Sequence, residues 1–262
     1  MKIIFTLLFL ISFNVCFGQG IDSLSVICLK VELFNSGNKL NSATGFVIEK
    51  NNKDYLITNL HVVTGTDFYS KASFDPQLRA PDIIGIWHNT TKFANWRLVP
   101  ETLYDKNGHK RWIECEIEGK QIDLIALPLE KIDPDIKIYP LDTAHYNNNL
   151  YVIPGFAVSI IGFPNGMSTD GRFAIWKTGH IASDMILNLN GVPQFMIDAT
   201  TRPGMSGSIV VIRMSPYIVK NSGTHIGIGT QFLGIYTSQS DLEELGYVLK
   251  PIALKTLIDK LP

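Results

Sequence analysis

Thr201-Arg202-Pro203-Gly204-Met205-Ser206-Gly207-Ser208-Ile209-Val210-Val211 is the stretch that decides how this chain is read. A serine between glycines, in a tight turn ahead of a β-branched strand, has the setting an acyl-transfer nucleophile needs. Gly204 lets the backbone bend so that its N–H and that of Ser206 converge on one point, where a tetrahedral oxyanion can sit. Gly207 is expected to leave room for a scissile peptide. The plainer reading is a hairpin turn, because Gly-x-Ser-Gly alone is a common string. The rest of the chain must therefore supply the partners.

A general base is offered by Tyr55-Leu56-Ile57-Thr58-Asn59-Leu60-His61-Val62-Val63, which follows Ala43-Thr44-Gly45-Phe46-Val47-Ile48. A histidine closing an apolar strand is commonly just a buried imidazole. Here the apolar neighbours would fix the ring at a core edge, and a base needs such a held position plus a carboxylate to orient its Nδ1–H. Gln121-Ile122-Asp123-Leu124-Ile125-Ala126-Leu127 provides the carboxylate. An acid heading a nearly pure apolar strand is costly unless something pairs with it. Capping of the preceding loop is the alternative use for it.

Around these segments the sequence from about residue 24 to the C-terminal region is a series of short β-rich runs broken by turn chemistry such as Asn35-Ser36-Gly37-Asn38 and Lys106-Asn107-Gly108. Runs at 26–34, 44–49, 54–59, 83–87, 112–117 and 123–129 form one set. A second set covers 157–162, 173–181, 194–198, 208–212 and 225–236. Between them, 130–149 holds Pro134, Pro140 and an asparagine tract and reads as a crossing between two β domains. Only the end reads as helical. Pro251 suits a first turn, and Leu254, Leu257, Ile258 and Leu261 fall on one face, expected to pack on the second domain.

Together the three segments, in the order His, Asp, Ser, resemble the chymotrypsin/trypsin-like serine protease superfamily, and within it the bacterial HtrA-like branch without a PDZ domain. The resemblance extends over residues 24–250 through Gly45-Phe46-Val47-Ile48, the histidine turn, the aspartate strand, Ile161-Gly162-Phe163-Pro164-Asn165-Gly166, the approach to Ser206, and Gly234-Ile235-Tyr236. It implies an all-β fold of two six-stranded antiparallel barrels with a short C-terminal helix. It also implies a catalytic triad of His61, Asp123 and Ser206, with Gly204 and Ser206 N–H groups as an oxyanion hole. Thr200, Tyr236 and Thr237 would bind substrate, Thr200 near the base of the S1 pocket. Ser208 and Met205 depart from the family pattern, which has a second glycine and usually an acid or amide there.

The N-terminus is distinct. Lys2 precedes an apolar run from Ile3 to Val15, then the small residues Cys16 and Gly18, which is the pattern of a cleaved signal peptide over residues 1–18. The run is shorter than the ~20 apolar residues of a bilayer span, so no stable membrane insertion is expected after its removal. The expected organisation is then 19–140, carrying His61 and Asp123, and 141–262, carrying Ser206. A net charge of −1 offers no basic footprint for nucleic acid. The histidines show no ligand spacing, so neither metal nor cofactor is expected. Cys28 and Cys115 lie on strand faces of opposite character, which argues against a disulfide without deciding the matter. The reading is a secreted or periplasmic serine endopeptidase acting on protein or peptide through an acyl-enzyme. The alternative is a protease-like binding module that has lost activity.

Overall fold

A computed structural model describes residues 20–130, 132–146, 149–240 and 244–262. The expected signal peptide and its cleavage point lie outside the described residues. The first half comprises helix α1 (Ser23–Ile27), strands β1 (Leu29–Asn35), β2 (Asn38–Lys50) and β3 (Lys53–Thr58), helix α2 (Leu60–Thr64), and strands β4 (Ile83–Asn89), β5 (Trp96–Thr102), β6 (Ile113–Ile117) and β7 (Lys120–Pro128). In the second half come β8 (Ala157–Gly162), β9 (Ile175–Ile181), β10 (Gln194–Asp198), β11 (Ile209–Met214), β12 (Tyr217–Val219), β13 (Gly223–His225), β14 (Gly229–Gln239) and β15 (Leu245–Leu249). Helix α3 (Pro251–Asp259) ends the chain.

The architecture is all-β, as expected, with one difference in the first half. The second half forms a closed six-stranded barrel in the order β10-β15-β14-β11-β8-β9. The first forms a seven-stranded sheet, β5-β4-β1-β2-β3-β7-β6, whose edges are not joined by a ladder. The additional strand is β5, whose Pro100 reads as a loop in the sequence. A proline is tolerated on an edge strand because its missing N–H faces outward, and Pro100 is exposed opposite Gly85. The two edges still approach, since Arg111 N donates to Leu103 O at 3.0 Å. There the Arg111 guanidinium pairs with Glu101 at 3.0 Å, both side chains under a tenth exposed.

Strands that carry the site are apolar on both faces because both are covered. Along β3, Tyr55 and Ile57 face a core shared by the two halves, whereas Leu56 faces the interior of the first sheet. On β7, Ile122, Leu124 and Ala126 enter the shared core and Ile125 and Leu127 the other. On β11, Ile209 and Val211 enter the shared core and Val210 and Ile212 the barrel. This is the period-2 alternation of a strand sandwiched between two apolar layers. It fixes the rotation of each strand and hence the direction of the side chains at its ends.

Helix α3 does not belong to the second half alone, contrary to expectation. It packs on β6 and β7 as well as β14. Cys115 Sγ donates to Ala253 O at 3.5 Å, and Lys260 Nζ donates to Glu116 O at 3.1 Å. Residues 23–27 are helical rather than extended, because Asp22 caps them by accepting from Leu24 N at 3.0 Å and Leu24 is fully buried. Cys28 and Cys115 are both free and buried in the same core. Burial pushes the Cys28 thiol up to about 12 and the Cys115 thiol up to about 11.

Candidate active site

His61 lies on the first turn of α2, three residues beyond the end of β3, rather than on the strand itself. The turn is closed by Gly65 at φ 70°, whose N–H returns to His61 O at 3.0 Å. Asn59 ties this segment to β7 by donating from Nδ2 to Asp123 O at 2.7 Å. Asp123 is 6% exposed and holds His61 twice. Its Oδ1 accepts from the His61 backbone N–H at 3.0 Å, and its Oδ2 faces Nδ1 at 2.7 Å. An ionised carboxylate can only accept, so the imidazole proton belongs on Nδ1 and the Nε2 lone pair is free. That lone pair faces Ser206 Oγ at 2.7 Å. The serine hydroxyl also has Thr237 O within 3.1 Å.

The turn carrying Ser206 needs its glycines for close approach, Gly204 to a turn of its own half and Gly207 to the first half. Gly204 has φ 93°, and a Cβ there would come within 2.4 Å of Phe163 O. Gly207 has φ 85°, and a Cβ there would lie 2.0 Å from Thr44 O. Gly207 is thus required by the carbonyl of β2. Among the described residues, neither the Gly204 N–H nor the Ser206 N–H donates to a protein acceptor. Ser208, in place of the second glycine, is fully buried with an unpartnered Oγ.

A cleft of about 500 Å³ runs past these groups, bordered by His61 and Phe74 on one side and by Ser206, Arg202 and Tyr236 on the other. Phe74 stands edge-on to the His61 ring with centroids 5.8 Å apart. It belongs to the long loop after α2, which the sequence did not mark as part of the site. Thr200 is exposed and does not line the cleft; its neighbour Thr201 does. Thr201 is 1% exposed, with Tyr236 Oη at 2.5 Å and Gln239 Oε1 at 2.8 Å from its Oγ1. Burial pushes the Tyr236 phenol up to about 12, so it remains a hydroxyl. Thr237 contributes its carbonyl to the site, while its Oγ1 turns to Tyr247 O at 3.3 Å.

The acids that line the cleft are both engaged. Asp75 is held at about 2 by the Arg79 guanidinium, 2.7 Å away. Asp67 accepts from the Ser70 N–H and hydroxyl at 2.7 and 2.8 Å, bonds that hold its carboxyl low against burial. Among the described residues, no group of three or more His, Cys, Asp or Glu side chains is placed to hold a metal ion. Sequence reading missed Thr201, Gln239, Phe74 and Thr44. Thr44 and Thr58 carried a usable signal, as hydroxyls inside apolar strands must find partners; Thr58 Oγ1 donates to Thr44 O at 2.8 Å.

Two strands from one half and a turn from the other thus converge on a histidine with a carboxylate behind it and a serine in front. The family described as the trypsin-like peptidase domain matches residues 43–214, and the chain belongs to it, within the chymotrypsin/trypsin-like serine protease superfamily. Similar solved structures include the Rv3671c protease in an inactive form, at 17% identity and a TM-score of 0.49, covering 91% of this chain and 90% of that one. A serine-to-alanine inactive form of Rv3671c from M. tuberculosis H37Rv gives 17% and 0.48, over 91% and 87%. The serine endoprotease of Yersinia pestis gives 14% and 0.47, over 90% of this chain and 64% of that one. Comparison with curated proteins finds no match.

Proposed function

We propose that the chain is an exported serine endopeptidase that hydrolyses peptide bonds through an acyl-enzyme on Ser206. The observation that carries this is the continuous relay Asp123–His61–Ser206, with 2.7 Å at each of its two side-chain contacts. Ser206 Oγ attacks the scissile carbonyl carbon and gives its proton to His61 Nε2. Asp123 holds the ring in the required tautomer and faces the imidazolium that forms. The oxyanion is received by the Gly204 and Ser206 N–H groups, which donate to no acceptor among the described residues. Nε2 then protonates the leaving amine, and water repeats the sequence to free the acid.

The S1 floor is polar and uncharged, built from Thr201, Tyr236 and Gln239, with no carboxylate among the described residues bonded to it. Small or medium uncharged P1 residues therefore fit better than Arg or Lys. Export to the periplasm or the exterior rests on the N-terminal sequence from Lys2 to Gly18. The test is cleavage of a peptide library by residues 19–262 beside the Ser206→Ala variant. Cleavage after uncharged residues, lost in the variant, is expected. Dominant cleavage after Arg or Lys would overturn the specificity, and undiminished cleavage by Ser206→Ala would overturn the nucleophile.

A further inference from the structure

Every carbonyl from Pro203 to Ser206 is held. Pro203 O accepts from Asn165 N at 2.6 Å, Met205 O from Ser208 N at 2.9 Å, and Ser206 O from Thr44 N at 2.9 Å. Gly204 O accepts from Thr44 Oγ1 at 2.8 Å. In a trans peptide the carbonyl and the N–H that follows it point in opposite directions. Holding Pro203 O therefore aims the Gly204 N–H, and holding Met205 O aims the Ser206 N–H. The Gly204–Met205 peptide lies between these two, so fixing it stops either neighbour from turning.

Three of these four bonds are made by backbone. The fourth comes from one side chain, and that side chain is on the other half of the molecule. Thr44 is fully buried on β2. Its hydroxyl gives its single proton to Gly204 O and accepts from Phe163 N at 3.1 Å. Phe163 leads into the turn whose Asn165 N–H, at φ 50°, holds Pro203. One hydroxyl thus joins both walls of the loop.

Among the described residues no other side chain bonds to the carbonyls from Pro203 to Ser206. Met205 is apolar and fully buried, so it offers no charge to a chain terminus. Residues 22–25 are docked elsewhere: Asp22 pairs with Arg213 at 2.6 Å, near the end of β11 away from Ser206, and Ser25 Oγ accepts from Trp176 Nε1 at 2.7 Å.

We propose that Thr44 is a positioning residue: its hydroxyl clamps Gly204 O and Phe163 N across the two halves and keeps the Gly204 and Ser206 N–H groups preorganised for an oxyanion without help from the N-terminus. This rests on the reading of Ser206 as nucleophile. The test measures kinact and KI for an alkyl fluorophosphonate, with thermal melts alongside, on the wild type and on Thr44→Ser, Thr44→Cys and Thr44→Val. Thr44→Val keeps the shape and removes the hydroxyl, so kinact should fall about 10- to 100-fold with KI within about twofold. Thr44→Ser should stay within about threefold of wild type, and Thr44→Cys, a weak donor, should fall between. A folded Thr44→Val with wild-type kinact, or a Thr44→Ser as slow as Thr44→Val, overturns the proposal. If Thr44→Val shows no cooperative melt, Thr44→Cys decides: wild-type kinact overturns it and an intermediate value supports it. An unreactive wild type would instead overturn the nucleophile assignment.

Discussion

Replacing Asp123 by asparagine tests the orientation of the base with almost no change of shape. The carboxylate accepts from the His61 backbone N–H at 3.0 Å and faces Nδ1 at 2.7 Å. An asparagine has one acceptor and one donor to offer at those two places. With its oxygen on the backbone N–H, its NH2 faces Nδ1, which must then accept, and the ring proton moves to Nε2. Nε2 can then no longer take the Ser206 proton. The opposite amide orientation keeps the tautomer but sets NH2 against the buried His61 N–H, an unsatisfied donor costing about 1–3 kcal/mol. In either case the charge facing the imidazolium is gone. At an effective dielectric of about 20, a unit pair at this separation attracts by about 6 kcal/mol, and the amide dipole recovers part of that. A net loss of about 4–5 kcal/mol corresponds to fluorophosphonate labelling of Ser206 slowed by about 10³–10⁴-fold. The assay is the second-order rate constant, with the melting temperature recorded beside it. An Asp123→Asn variant that melts like wild type and labels within tenfold of it would refute the reasoning.

Other outcomes are expected from particular residues. His88 is 3% exposed, and burial, with Arg97 adding to it, lowers its pKa to about 4. The unfolded chain, titrating at about 6.5, binds the proton first, so stability should fall by up to about 3 kcal/mol as pH drops from about 6.5 to 4. His88→Gln should flatten that part of the melting profile, and an unchanged slope would assign the loss to other groups. Ser208→Ala removes a buried hydroxyl that lacks a partner. It should raise the unfolding free energy in urea by about 1–2 kcal/mol, whereas destabilisation would mean the hydroxyl is bonded. A blocking extension ahead of residue 19 should leave labelling within about twofold, because residues 22–25 dock away from Met205. Recovery of activity only on removing the extension would count against a self-held oxyanion loop.

The site was more legible in the sequence than the sheet that carries it. His61 and Asp123 each break an apolar pattern with a chemically expensive group, Ser206 stands in a glycine turn, and the structure brings the three within hydrogen-bonding reach. Cost of that kind is visible residue by residue. What depends on packing partners was not. Strand β5 was hidden because Pro100 signals a loop unless the strand is known to be an edge. Lys30 and Glu32 give the strand face of Cys28 a charged character in the sequence, yet both are nearly buried, with Glu32 bonded to Lys39 at 2.7 Å and Lys30 at 3.3 Å from it. Cys28 and Cys115 therefore share one core rather than facing unlike surroundings, and the thiols are free. Which of Thr200 and Thr201 faces inward was not legible either, since only the fold turns Thr201 in and Thr200 out. The loop bearing Phe74 has no periodicity to betray its place over His61.

The central claim is that His61 activates Ser206 as a nucleophile. Its most direct measurement is intact-protein mass spectrometry of residues 19–262 after exposure to a fluorophosphonate, followed by peptide mapping. One phosphonyl adduct per chain is expected, on Ser206, formed rapidly by wild type and essentially not by His61→Ala. No adduct on the folded wild type, an adduct at another residue, or equal labelling of Ser206 in His61→Ala would contradict it.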